Sequence, residues 1–162
     1  MFIISINIYY LLTTQFSTVH LTIVVLFALG IFLMYTTLLQ GVLKEVASVN
    51  RETQRGYVWF LLIPLFNLVW AFIFYIKLAN SIKNEFESRG KNSTSDYGKG
   101  LGVALAITGV LGFIPYVGLF FGIGNLVLWI FFWVIIARYK SDLVNSEKGN
   151  YRVDYDSDLL DN

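Results

Sequence analysis

The chain has 162 residues, of which 14% are charged and 56% hydrophobic, with a mean hydropathy of +0.63; soluble domains carry roughly 25% charged residues, so a soluble globular protein is excluded. A formal net charge of +1 leaves no electrostatic footprint for nucleic acid, and with no cysteine there are no disulfides, thiolate catalysts or cysteine metal sites. A single histidine, His20, would leave a zinc or haem site to be built from carboxylates that lie in loops and tail, so no metal or cofactor is expected.

Three regions are predicted: an N-terminal interfacial segment at 1–20, a transmembrane domain of four helices at 21–140, and an acidic cytoplasmic tail at 141–162. The stretch Met1 to Val19 lacks Lys and Arg, hence the basic n-region of a signal peptide; Phe2 to Leu12 reads as an interfacial helix or as an extension of the first span. Leu21 to Leu39 is the first uncharged run long enough to cross the hydrocarbon core, and Lys44 to Gly56 follows as a polar linker. The second span is placed at Tyr57 to Ile76, bent at Pro64 and carrying Asn67, with Tyr57 and Trp59 at one end and Tyr75 and Lys77 at the other as interfacial anchors. Beyond it Leu78, Ile82 and Phe86 recur every four residues, Glu85 and Arg89 form an i,i+4 pair, and Gly90 is a C-cap before a loop over Lys91 to Gly100.

Leu101 to Ala137 is uncharged and too long for one span. Pro115 and Gly118 place a turn in it, giving a short third span at 101–114 and a fourth at 118–137, closed by Arg138 and Lys140. The twelve Lys and Arg residues set the topology. Four ordinary spans put the second linker, the tail and the N-terminus in the cytoplasm, with nine cations inside and three outside. The alternative makes Tyr57 to Ile76 a re-entrant segment kinked at Pro64, which puts all twelve inside and the N-terminus outside. The Asn92-Ser93-Thr94 glycosylation sequon is cytoplasmic in both, and therefore silent.

No Asp, Glu, Lys or Arg lies within any predicted span, although a proton relay, voltage sensor or carboxylate metal site would need one. The phosphate-binding P-loop and HExxH motifs are absent, and Asp154, Asp156 and Asp158 lack the glycine and distal glutamate of a calcium loop. What the spans do hold is packing material: Gly109, Gly112, Gly118 and Gly122 allow close helix approach, while Asn67 and Asn125 can hydrogen-bond between helices or line a polar path. Asn67-Leu68-Val69-Trp70 and Asn125-Leu126-Val127-Leu128-Trp129 each open an aromatic stretch that ends in cations. This echo fits either a duplicated hairpin or chance recurrence in a biased composition, and chance is preferred.

The string Val58 to Trp70, then Ser81 to Phe86, Tyr97 to Gly102, Ile114-Pro115, Gly118 and Trp129 to Lys140 resembles a group of small multi-span membrane proteins of Bacteroidetes-type bacteria that has no assigned activity. The resemblance covers Arg55 to Leu143 and implies a bacterial inner membrane; it transfers no catalytic residue. The chain is therefore expected to be a non-enzymatic subunit or scaffold of an inner-membrane complex, with the lipid bilayer and a second copy or other membrane subunits as partners and its C-terminus cytoplasmic. A small oligomeric channel or carrier, with Asn67 and Asn125 facing a polar path, is the alternative. The tail is expected to be irregular.

Overall fold

The computed structural model describes residues 2–91 and 94–160. The protein is 83% helix, with no strand among the described residues. In chain order come α1 (Phe2–Glu45), a 3-10 turn (Ser48–Asn50), a longer 3-10 segment (Arg55–Leu62), α2 (Pro64–Ser88), α3 (Lys99–Leu111) and α4 (Gly118–Leu160). Three stretches are long and apolar enough to cross a membrane, Thr18–Glu45, Leu65–Ser88 and Gly118–Ser146. The chain divides into two compact units, Met1–Tyr35 and Thr36–Asn162.

The first unit is a single helix. Its apolar side chains from Val19 to Leu29 face outward, with Phe27 71% exposed, an arrangement that suits lipid and not water. Helix α1 runs without a break from Phe2, so 2–12 is one helix with the first predicted span.

The second unit is built from antiparallel and parallel packings around α2. The chain leaving α1 runs back along α2: the Ala47 amide donates to Glu85 Oε2 (2.8 Å), the Glu52 amide to Ser81 Oγ (2.8 Å), and Trp70 Nε1 to the Tyr57 carbonyl (3.1 Å). It reverses at Ile63-Pro64, and α2 returns. Helix α3 lies antiparallel to α4, since Asn125 faces Leu105 and Thr108 while Ser95 faces Tyr139. Helices α2 and α4 run the same way, with Tyr75 against Phe132 (4.9 Å between ring centres) and Phe86 against Tyr139 (6.0 Å). The predicted stripe is the core face of α2: Leu78 and Ile82 are fully buried and Phe86 nearly so.

Several expectations change. Tyr57 to Ile76 is not one bent helix. Clash with the proline ring pushes Ile63 out of the helical region (φ −85°, ψ 107°), and Pro64, with no amide hydrogen to satisfy, takes the first position of α2. Three helices, and not four, are therefore long and apolar enough to cross a membrane. Helix α3 has 13 residues and rises only ~20 Å, short of the ~30 Å hydrocarbon core. Tyr75 is 6% exposed and packs in the core, so it is not an interfacial anchor. The backbone of the acidic tail continues α4 to Leu160 instead of turning irregular. Asn92, Ser93 and Asp161 lie outside the described residues.

Candidate functional site

The predicted polar and small residues fall into separate places. Asn125, on the inner side of α4, donates through Nδ2 to the Leu105 carbonyl (2.7 Å) and to Thr108 Oγ1 (2.8 Å), while Thr108 in turn donates to the Ala104 carbonyl (2.9 Å). Gly109 leaves the space beside that amide, because a Cβ there would stand 3.6 Å from Asn125 Nδ2. Gly112 ends α3 and Gly118 begins α4, and a Cβ on Gly118 would collide with the Gly112 carbonyl oxygen. Pro115 sits in the turn between them, where Gly118 donates its amide to Ile114 (2.8 Å). Gly122 has nothing within 4 Å of its Cβ position, so it is no part of an internal groove. Asn67 lies in the first turn of α2, its amide bonded to the Ile63 carbonyl (2.7 Å), and its buried Oδ1 has no hydrogen-bond partner. The two asparagines are not joined by a hydrogen bond, and Pro64 stands at the head of α2 rather than inside it.

The densest polar chemistry is a node at the other end of α2. Glu85 is 4% exposed and accepts from the Ala47 amide, from Asn50 Nδ2 (2.8 Å) and from Arg89 Nε (2.8 Å). Arg89 also reaches the Glu45 carbonyl at the end of α1 (3.1 Å), and the Leu143 carbonyl (2.6 Å) and Ser146 Oγ (2.8 Å) on α4. Asn50 adds a bond to Ser88 Oγ (3.0 Å). One ion pair thus ties α1, the linker, α2 and α4. Desolvation by burial would raise the Glu85 carboxyl, but the hydrogen bonds from Asn50, Ala47 and Arg89, with the Arg89 charge, outweigh it and hold the group below the ordinary carboxylate range. Glu85 stands beyond Lys77, where the apolar run of α2 has ended.

Helix α2 can end beside this node because Gly90 takes a left-handed conformation (φ 71°), so that the Gly90 amide bonds Glu87 and the Lys91 amide bonds Phe86 in a Schellman closure. Across the following loop, Asp96 accepts from the amides of Gly98 (3.0 Å) and Gly100 (2.9 Å) and so caps α3. Tyr97, with φ 54°, tucks its ring onto Phe86 (5.5 Å between centres), beside a cavity of about 420 Å³ that Lys91, Ser95, Asp142 and Asn145 also line. The i,i+4 spacing made the Glu85–Arg89 pair visible in the sequence; its partners on α1 and α4 left no signal there. Gly102 was also missed: a Cβ at that position would meet Tyr75 Cβ at 2.7 Å and Phe132 Cε2 at 3.2 Å, so its bareness sets the approach of α2, α3 and α4. Among the described residues no group of three or more His, Asp or Glu side chains could hold a metal ion.

No protein-family model matches the chain, and no curated protein or solved structure is significantly similar to it. Fold and site together define a helical protein with apolar helices of membrane-crossing length and a hydrogen-bonded polar end.

Proposed function

We propose that this chain is an integral subunit or scaffold of a bacterial inner-membrane complex, non-enzymatic, with its polar end in the cytoplasm. The observation that carries the proposal is how the polar side chains are used. Glu85, Arg89 and Asn125 spend their donors and acceptors on other segments of this chain, and the helices of membrane-crossing length keep apolar faces outward. Such a molecule offers a rigid end for partners and an apolar body for lipid or neighbouring helices.

The path of the chain supports the re-entrant topology over four ordinary spans. Residues 46–62 run antiparallel to α2 and begin beside Glu85, so the first linker shares an end with the second linker. The uncharged start of α2, from Leu65 to Ile76, rises about 18 Å before Lys77, a depth that suits a hairpin of the 3-10 segment and α2 entering the bilayer and returning. Its 3-10 arm and the break at Ile63 pack beside α2, as backbone outside an α-helix requires at depth in lipid. All twelve cations then lie inside. Extraction in a mild detergent followed by native mass measurement tests the subunit role: an assembly larger than one chain is expected, and a lone monomer overturns it.

One observation favours a second reading, a small channel or carrier. The buried Asn67 Oδ1 without a partner is an acceptor left free near the tip of the hairpin. Ion flux across liposomes that falls on Asn67→Leu would support it, and absence of flux in the unmodified protein removes it.

A further inference from the structure

The end of the molecule that carries Glu85 also carries an excess of positive charge. Among the described residues two ion pairs form, Lys83–Glu87 and Arg89–Glu85, and neither uses Lys44 or Lys140. Lys140 is the more constrained of these two. It follows the apolar run of α4 and lies half-buried against α1 at Gly41, where a Cβ would stand 2.7 Å from its Nζ and 3.1 Å from its Cε. Glycine at 41 thus opens a notch in α1 that receives the ammonium. In that notch the Lys140 ammonium makes no hydrogen bond and no ion pair with any described residue. Lys44 lies three residues beyond Gly41, on the same face of α1, and is likewise unpaired. An ammonium held in place against α1 with no carboxylate beside it is placed to make a charge-assisted hydrogen bond to an anion.

We infer that Lys140, seated in the Gly41 notch with Lys44 a turn away, binds the phosphate of an anionic phospholipid headgroup. The site presupposes the membrane embedding proposed above. Both lysines lie within about a turn and a half of the end of an apolar run, Lys44 beyond Leu39 in α1 and Lys140 beyond Ala137 in α4, which puts them at the depth where phosphodiesters lie, with acyl chains against the exposed apolar faces of the same helices. A basic notch between helices at the cytoplasmic boundary is the geometry that selects anionic lipid.

The test uses the full chain, purified in neutral detergent, with retention of phosphatidylglycerol and phosphatidylcholine measured by native mass spectrometry. The unmodified protein is expected to retain phosphatidylglycerol preferentially. Lys140→Gln should weaken that retention about fivefold, the worth of one lysine at an anionic surface, and leave phosphatidylcholine unchanged. Lys83→Gln removes the same unit of charge from the ion pair with Glu87 and should have no effect. Gly41→Ala changes no charge but displaces the flexible lysine tip from its notch, so it should also weaken retention, with an unchanged melting temperature. Retention by the Lys140→Gln and Gly41→Ala variants equal to that of the unmodified protein would overturn the site, as would an equal loss in Lys83→Gln. Displacement of the lipid by millimolar glycerol phosphate would overturn the lipid as its ligand and leave a free-anion site. A protein soluble without detergent would instead overturn the membrane embedding itself, so the two failures are distinct.

Discussion

At the scale of single residues, Glu85 and Arg89 matter most, because one buried pair holds four stretches of chain. Arg89 is 17% and Glu85 5% exposed at the side chain, so removing either leaves a charge with little water to solvate it. Arg89→Ala should therefore cost about 3–5 kcal/mol, measured as a lowered midpoint of unfolding in detergent. The pH dependence follows from the same bonds. The folded protein holds the Glu85 carboxyl below its unfolded value, so its contribution is complete above the ordinary carboxylate range and is lost as pH falls through that range and below it. Melting temperatures of the unmodified protein should drop on acidification, and Glu85→Gln, less stable at neutral pH, should show a shallower drop. Gly102 acts by size. Gly102→Val drives carbon into Tyr75 and Phe132 and should cost about 1–3 kcal/mol through overpacking, seen in the same melts.

Among the elements, two hairpins share a plan. In each, one arm leads to a turn that carries proline, Pro64 or Pro115, and a longer helix returns to the charged end. The asparagines of the echoed motif do not share a role, however. Asn125 bonds the neighbouring arm at Leu105 and Thr108, whereas Asn67 Oδ1 bonds nothing. Asn125→Leu should loosen α3 from α4 at a cost of about 0.6–2 kcal/mol, with faster hydrogen exchange confined to the α3 amides as its signature. How much of this was legible depends on the range of the physics. The stripe Leu78, Ile82, Phe86, the Glu85–Arg89 spacing and the break at Pro115 are local, and the sequence displays them. Pro64 was legible as a break but not as a helix start, since apolar composition continues across it from Tyr57 to Ile76 and composition does not register the backbone angles of Ile63. Tyr75 looked like an anchor because aromatics next to lysine often are; only the bare Gly102 and the ring of Phe132, both distant in sequence, bury it.

For the whole molecule, the decisive quantity is which polar segments share a side of the bilayer. Hydropathy alone left two topologies open, because a run such as Tyr57 to Ile76 is long enough to span whether or not it does. The hydrogen bonds from Ala47 to Glu85 and from Glu52 to Ser81 bind the first linker to the polar half of α2, and such contacts cannot form across a bilayer. If the hairpin re-enters, the first linker must share an aqueous compartment with the loop before α3, and the turn between α3 and α4 must face the other one, the short α3 crossing where the bilayer thins locally. The chain has no native cysteine, so single cysteines report position without background. Val49 is 87% exposed and Tyr116 fully exposed, so both can be replaced without disturbing the core. In inside-out vesicles, Val49→Cys and Lys99→Cys should react with a membrane-impermeant maleimide, and Tyr116→Cys should react only after the bilayer is permeabilised. Labelling of position 49 together with 116, and not with 99, would restore four ordinary spans and reject the hairpin.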